Sequence, residues 1–315
     1  MAAVYIDGEW FGKDDAKISV YDHGLLYGDG LFEGIRIYNG KIFKLEEHID
    51  RLFQGAGVLL LEVPLSREET VDMLAEGVRR FTEQTGLKDG YIRLIVTRGK
   101  GDLGIDPEKC SKASVISIFD TIQLYPREYY DKGIAVITAS TRRLESSVFV
   151  PRVKSLNSLN NIFAKQEAKL AGCMEAVLLN REGYVTECTA DNIFIVTDGV
   201  LKTPAPYLGI LEGITRRTVL ELAREISAPA HPKSGPGDGT EEAAVPKTAA
   251  AASGIPTEEA VLTRFDLYTA DECFITGSGA ELMPVVSVDG RIIGGGRPGP
   301  VTKELAEAFR RLVGL

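Results

Sequence analysis

Cysteine, histidine and tryptophan are scarce in this 315-residue chain, and what is missing narrows its chemistry. The four cysteines (Cys110, Cys173, Cys188, Cys273) are scattered and form no CxxC pair, and the three histidines (His23, His48, His231) stand far apart. That argues against a zinc site and against a disulfide framework. No apolar run approaches the length of a membrane span. The opening MAAVYIDGEW has no basic region followed by an apolar stretch, so no secretory signal is expected. The formal net charge is −9 with acids and bases interspersed, which offers no basic face to nucleic acid. The expectation is a cytoplasmic, globular protein with neither membrane nor nucleic-acid partners.

What is present suits a large core. Hydrophobic residues make up 44% of the chain, and the length suggests two domains. In the first half, VYIDGEW and KISVYD read as short strands, and IRIYNGKIFKL as a hairpin turning at Asn39-Gly40. SREETVDMLAEGVRRFTEQTG predicts a helix capped by Ser66, with Glu69 completing a capping box and Gly86 ending it. YIRLIVTRG and SVISIFDTI read as strands around a glycine-rich loop. The second half opens with the strand GIAVITAS and the helix SLNNIFAKQEAKLAG. Three strands follow in AVLLNREGYVTECTADNIFIVTDGVLKTP, broken at Glu182-Gly183 and Asp198-Gly199. TRRTVLELAREI and TKELAEAFRRLV are amphipathic helices. Strands in blocks with helices at the sides indicate an α+β fold. The expected domains are 1–125 and 133–315, joined by a linker at 126–132. The stretch 228–254 is rich in Pro, Gly and Ala, and reads as a flexible insertion.

Few motifs carry chemistry alone. The glycines of YGDGLFEG do not match the dinucleotide spacing GxGxxG, and read better as a tight turn or a close backbone approach. In GILEGITRRTVLELARE, Gly213 can turn, Thr215 can cap, and the free N–H groups of the following helix suit a phosphate. TGSGAE (Thr276 to Glu281) is a second candidate anion nest. Taken alone, the first reads better as a plain capped helix and the second as an ordinary loop. Glu187 lies on an expected strand, facing solvent by alternation or buried against a cation. In VPRVKSLNSLNNIFAKQEA, Lys165 and Lys169 lie four apart as a helix surface. Lys154 stands apart in an extended segment, open to a solvated or a chemical reading. A lysine, two anion nests and a carboxylate are the parts that hold pyridoxal phosphate, although spacing alone does not establish it.

Taken together, SVYDHGLLYGDGLFEGIRIYNG, EEHIDRL, YIRLIVTRG, VKSLNSLNNIFAKQEA, EGYVTECTADNIFIV, LEGITR and DECFITGSGAELMPV resemble the class IV (fold-type IV) pyridoxal-phosphate aminotransferases. The sequence is most similar to the branched-chain amino acid aminotransferases of bacteria and archaea. The resemblance implies a small α/β domain and a larger domain with a barrel-like β core, with pyridoxal 5′-phosphate between them. It makes Lys154 the Schiff-base lysine and proton shuttle, and Glu187 the partner of the pyridine nitrogen. Arg51, Ile214, Thr215 and Ser278 hold the phosphate. Tyr27, Phe32 and Tyr91 line the substrate pocket, Arg93 receives a side-chain carboxylate, and Tyr91 with the backbone at Ser278 and Gly279 holds the α-carboxylate. Ile105 comes from a neighbouring subunit, which implies a homodimer or a dimer-based assembly. The implied reaction moves an amino group between branched-chain L-amino acids and 2-oxoglutarate. D-amino acid aminotransferase (Arg98 sits in a similar VTRG context) and 4-amino-4-deoxychorismate lyase are the alternatives on the same fold, and a non-catalytic vitamin B6 binder is a third. Ser158 departs from the family's KSLNYLNN pattern, where tyrosine can reach the cofactor's phenolic oxygen.

Overall fold

A computed structural model describes residues 3–122, 125–145, 150–226 and 254–315. The first half is built on one six-stranded antiparallel sheet. In chain order it runs β1 (Ala3–Ile6), β2 (Glu9–Gly12), α1 (His23–Tyr27), β3 (Gly30–Tyr38), β4 (Lys41–Ile42), α2 (Leu45–Val58), α3 (Arg67–Thr85), β5 (Gly90–Thr97) and β6 (Ser114–Asp120). The strand order is β2-β1-β6-β5-β3-β4. Alternation on β3 and β5 sends Ile35, Ile37, Ile92, Leu94 and Val96 into a core with Leu52 of α2 and with Leu74 and Phe81 of α3. Helix α3 has the expected capping box of Ser66 and Glu69, and ends at Gly86 in the left-handed region.

VYIDGEW is not one strand but a hairpin, β1–β2, turning at Asp7 and Gly8, both with positive φ. KISVYD is not a strand. Its apolar side chains are exposed, Val20 at 71%, and its last residue Asp22 caps α1 by accepting from Gly24 N at 2.8 Å.

The second half carries α4 (Glu128–Lys132), β7 (Ile134–Thr138), α5 (Leu159–Leu170), β8 (Glu175–Leu179), β9 (Val185–Cys188), β10 (Asn192–Thr197) and β11 (Val200–Pro204). It continues with α6 (Ile214–Glu225), β12 (Thr257–Ala260), α7 (Arg264–Tyr268), β13 (Glu272–Gly277), β14 (Glu281–Val288), β15 (Arg291–Ile292) and α8 (Pro300–Val313). Its nine-stranded mixed sheet has the order β12-β11-β10-β13-β14-β7-β8-β9, with β15 beside β14. Strand β9, at one end of that path, comes back against β10 and β11, so the sheet curls around an apolar interior of Val136, Val177, Ile193 and Ile275. Helices α6 and α8 cover its outer face, with Val219 and Leu305 in one cluster with Phe194 and Phe274.

The expected three strands from Ala176 are four, because the chain turns again between Cys188 and Asn192. Residues 126–132, expected as a linker, hold α4. The expected insertion 228–254 lies outside the described residues apart from Gly254.

Main-chain hydrogen bonds stitch the halves together where β3 begins. Leu31 and Ser155 form an antiparallel bridge, Phe32 N donates to Lys154 O at 2.9 Å, and Leu156 N donates to Gly30 O at 3.0 Å. The glycines of YGDGLFEG belong to this junction. Gly28 ends α1 in the left-handed region. A Cβ on Gly30 would lie 2.5 Å from Val96 O and 2.8 Å from Leu156 Cδ1. These are the close backbone approaches that glycine permits.

Packing between α3 and its sheet is equally tight at Gly77, where an added Cβ would lie 1.9 Å from Phe119 Cζ. Alanine in place of a helical glycine ordinarily stabilises by about 1 kcal/mol. Here the overpacking, costing about 1–3 kcal/mol, should win. Gly77→Ala is expected to lower the thermal midpoint by a few degrees in a differential scanning calorimetry trace, and a raised midpoint would show that Phe119 can yield.

Candidate active site

Lys154 sits where the stitched segment turns between the two sheets. It is half-buried, with its ammonium 4.7 Å from the centroid of the Phe32 ring. Burial and then the Arg51 charge push its pKa down to about 8, with Glu33 and Glu187 opposing. A lysine in that state stays mostly cationic near physiological pH but carries a far larger neutral fraction than an ordinary lysine, the form that can attack a carbonyl or accept a proton.

Two buried carboxylates flank it and behave oppositely. Glu33, on β3, accepts from Arg51 Nε at 2.8 Å and Nη2 at 2.7 Å, and lies 2.7 Å from His48 Nδ1. Burial alone would raise it, but Arg51 and His48 outweigh burial and hold it at about 2. Glu187 on β9 is raised above the usual carboxylate range by burial, with Arg143 the largest opposing influence. All four residues of β9 are buried, so the solvent-facing reading of Glu187 fails. Arg143 Nη2 lies 2.7 Å from Glu187 Oε1. Glu187 Oε2 accepts from Leu211 N at 2.9 Å and from Asn192 Nδ2 at 3.2 Å.

The third Arg51 nitrogen, Nη1, donates to Glu212 O at 2.9 Å, just ahead of α6. The N-cap of that helix is Gly213, not Thr215, and it makes no side-chain capping bond, so the N–H groups of the first turn stay available. Gly213 is required there, since a Cβ would lie 2.1 Å from Asn192 Oδ1. Beside it, β13 runs out into Ser278 and Gly279 before β14 begins. Thr276, paired in register with Asn192, buries an Oγ1 that has no partner among the described residues.

On the face of the small sheet away from α2 and α3 lie Phe32, Tyr91 and Arg93. The Arg93 guanidinium stacks 4.4 Å from the Phe32 centroid and 5.7 Å from that of Tyr91. The Tyr91 hydroxyl lies where a side chain on Gly34 would be, 1.9 Å from an added Cβ. Arg93 makes no ion pair among the described residues. Arg98, by contrast, is fully engaged: it pairs with Asp29 at 2.9 Å and donates to the carbonyls of Leu59 and Leu60.

Tyr27 and Ile105 are not part of this group. Tyr27 Oη accepts from Gly104 N at 2.8 Å, and Ile105 is 84% exposed beside it. Ser158 is the exposed N-cap of α5 and makes no side-chain capping bond. Lys165, expected on the helix surface, turns inward to donate to Met174 O at 2.6 Å and Glu175 Oε2 at 3.0 Å. Lys169 is exposed. Sequence reasoning missed Glu33, Arg143 and Asn192. Glu33 and His48 lay inside quoted motifs, while Arg143 gave no signal beyond a charged pair after a strand.

The family model for amino-transferase class IV matches residues 30–234. The chain belongs to the class IV aminotransferases. It is 48% identical over 98% of its length to a putative branched-chain-amino-acid aminotransferase of Methanocaldococcus jannaschii, covering 95% of that protein. It is 33% identical over 98% of its length to the D-alanine aminotransferase of Bacillus licheniformis, covering 96% of it. Among solved structures it superposes on a T.th. branched-chain amino acid aminotransferase complexed with N-(5′-phosphopyridoxyl)-L-glutamate, with a TM-score of 0.82 and 33% identity over 99% of this chain and 93% of the other. The enzyme therefore has the fold-type IV architecture, and pyridoxal 5′-phosphate is its cofactor. The donor set fits that group: a deprotonatable amine, a buried carboxylate, and an uncapped helix start beside a cation.

Glu33 gives the site a pH signature. Its folded pKa of about 2 lies below the ordinary 4.5, so the stability it confers is full above that ordinary value and is lost as pH falls toward 2. Glu33→Gln strands Arg51 and His48 and should cost about 3–5 kcal/mol at pH 7. The gap in melting temperature between parent and variant should shrink as pH falls from about 5 to about 2.5, and a gap that stays constant would show that Glu33 is not held ionised.

Proposed function

We propose that the enzyme moves the amino group between branched-chain L-amino acids and 2-oxoglutarate, with residues 1–125 and 133–315 as the two domains that meet over the cofactor. The observation that carries this reading is Lys154. Its amine is held near neutrality against the apolar face of Phe32, while the Arg93 guanidinium, without an ion pair among the described residues, covers the same ring.

Lys154 is the catalytic residue, binding the cofactor and moving the proton at the substrate α-carbon. Arg51 and the N–H groups of Ile214 and Thr215, with Ser278, would hold the cofactor's phosphate, and Glu187 would face its ring nitrogen. When bound, pyridoxal phosphate supplies the carbon that receives the amino group and a ring that withdraws the electron pair left at the α-carbon. Tyr91 and the backbone at Ser278 and Gly279 would take the α-carboxylate. Phe32 offers an aliphatic side chain its apolar face, and Arg93 offers the carboxylate of glutamate its cation. Tyr27 and Ile105, exposed together with Leu25 and Leu103, fit contact with a second subunit in a dimer-based assembly. Ser158 is too short to stand in for a tyrosine, and a water can fill its place. No helix among the described residues is long and apolar enough to cross a membrane.

The decisive experiment is amino-donor profiling with L-leucine, D-alanine and 4-amino-4-deoxychorismate, each with 2-oxoglutarate. Turnover of L-leucine alone is expected. Preference for D-alanine, or pyruvate released from the chorismate, would replace the reading with one of its relatives on the same fold.

Borohydride reduction of the holoenzyme followed by peptide mapping should place the pyridoxyl group on Lys154, and recovery on another lysine would sink the assignment. Lys154→Ala should lose at least about 1000-fold in turnover, because it removes the cofactor's anchor together with a proton-transfer group that alone is worth roughly 100- to 10,000-fold. Arg93→Met should raise the KM for glutamate about tenfold or more while leaving that for leucine within a fewfold, since only glutamate needs the cation. Equal effects on both substrates would place Arg93 at the α-carboxylate.

A further inference from the structure

Glu187 meets three protein partners, Arg143, Leu211 N and Asn192, and its principal holder, Arg143, is fixed from three directions. Arg143 follows β7. Its Nε donates to Gly209 O and its Nη1 to Asn161 Oδ1, each at 3.3 Å, while Nη2 meets Glu187 Oε1 at 2.7 Å. Asn161 lies on α5, seven residues beyond Lys154, and its Nδ2 donates to Thr189 O at 2.6 Å, just after β9. Glu167 on the same helix accepts from Ser140 N at 2.6 Å and Thr141 N at 2.9 Å, which pins the start of the Arg143 segment to α5. The helix that carries the NNIFAKQEA motif thus fastens both the cation and the strand that presents the acid.

The acceptor count matters as much as the charge. An ionised carboxylate has about two acceptor directions on each oxygen. Oε2 takes two donors, Leu211 N and Asn192 Nδ2. Among the described residues Oε1 takes only Arg143, so one direction remains open. Lys154 and Arg216 are the other cations that bear on Glu187, and Cys188 beside it is kept neutral by burial.

We infer that Arg143, oriented by Asn161, is a positioning residue that keeps buried Glu187 ionised and occupies one side of its Oε1, leaving one acceptor direction for a ring N–H donor. The last clause rests on the proposed pairing of Glu187 with the cofactor, whereas the ionisation is read on the protein without it.

The test uses the full-length chain, with and without cofactor, as Arg143→Met, Arg143→Lys, Glu187→Gln and the double variant Arg143→Met/Glu187→Gln. Glu187 has a raised folded pKa, so it binds protons more tightly folded than unfolded. Its effect on stability therefore becomes less favourable as pH rises from the ordinary 4.5 to the folded value, and is level above. Removing Arg143 pushes the folded value higher. The melting temperature of cofactor-free Arg143→Met should keep falling with pH after the parent's has levelled, so that the gap widens between about pH 5 and pH 8. Arg143→Lys should follow the parent more closely, and in the Glu187→Gln background the widening should vanish. The cofactor should bind less tightly to Arg143→Met than to the parent at a pH where only the parent's Glu187 is ionised, and the difference should close at higher pH, where both are. Loss of packing and hydrogen bonds alone lowers the melting temperature equally at every pH. A gap that is constant with pH, or one that still widens in the Glu187→Gln background, overturns the inference. A misplaced borohydride label would overturn the cofactor assignment and leave this titration unaffected.

Discussion

Two backbone hydrogen bonds, from Phe32 N to Lys154 O and from Leu156 N to Gly30 O, set the geometry of everything around Lys154. They join β3 of the antiparallel sheet to a segment that otherwise has no regular structure. Because the join is made by main chain, it places Phe32 and Lys154 side by side before any side chain takes part. Each demand on the flanking residues follows. Gly30 must lack a side chain because Val96 O and Leu156 crowd it. Asn157 Nδ2 ties the far side of the segment to Gly28 O at 2.9 Å. Phe32, fixed in direction by β3, is then available as a platform for two cations, Lys154 and Arg93. An aromatic face suits that task because its quadrupole attracts a cation without donating or accepting a proton.

Around this join the charges are sorted by solvation. Glu33 and Glu187 are both buried, but Glu33 meets a bidentate guanidinium as well as His48 and is pulled to about 2. Its lone pairs and its charge are spent on Arg51, which makes it an anchor for that arginine and leaves it no proton to trade. Glu187 has one ion-pair partner and stays raised, so its ionisation responds to small changes nearby. Behind the β13 turn lies a further pair, Glu175 and Asp191. Lys165 satisfies Glu175, and burial with the Glu175 charge raises Asp191 to about 7. Asp191 Oδ1 packs directly against Gly277, where an added Cβ would lie 2.1 Å away. Titrating near neutrality, Asp191 carries only part of a negative charge beside a turn read as an anion nest, where a full charge would oppose the anion more strongly.

Much of this was legible in the sequence wherever the cause is local. The capping box of α3, the Asn39-Gly40 turn and the amphipathic α6 and α8 follow from residues within a few positions of one another. KISVYD alternates as a strand should, yet only its end meets neighbouring backbone, Tyr21 O accepting from Gly101 N and Asp22 bridging Lys100, so Val20 is left in solvent. The fourth strand was hidden because the Cys188–Asn192 turn contains neither glycine nor proline. Lys154, Glu187 and Arg51 stood out through motif resemblance, not through periodicity, since chemistry needs residue types in space and not in register. Arg143 and Lys165 were unreadable for the same reason. Each is an ordinary charged residue until the fold brings a buried carboxylate to it.

Arg93 shows how one pocket can accept two unlike side chains under the proposed substrate reading. Lysine at that place would be a strongly hydrated point charge whose desolvation opposes an aliphatic neighbour. A guanidinium is planar and weakly hydrated, and the Phe32 ring, its centroid 4.4 Å from the central guanidinium carbon, sets an apolar surface beside it. An aliphatic side chain then meets ring and guanidinium plane as nearly continuous apolar surface. The N–H donors lie in that plane, at its rim, and remain free for a carboxylate. The aromatic–arginine stack supplies both surfaces without any movement of the backbone, which the β3–β5 pairing of Gly34 with Arg93 holds fixed. Selectivity between the two substrates then becomes a property of how firmly the stack is held, and Tyr91, packed into the space that Gly34 leaves open, is what holds its other edge.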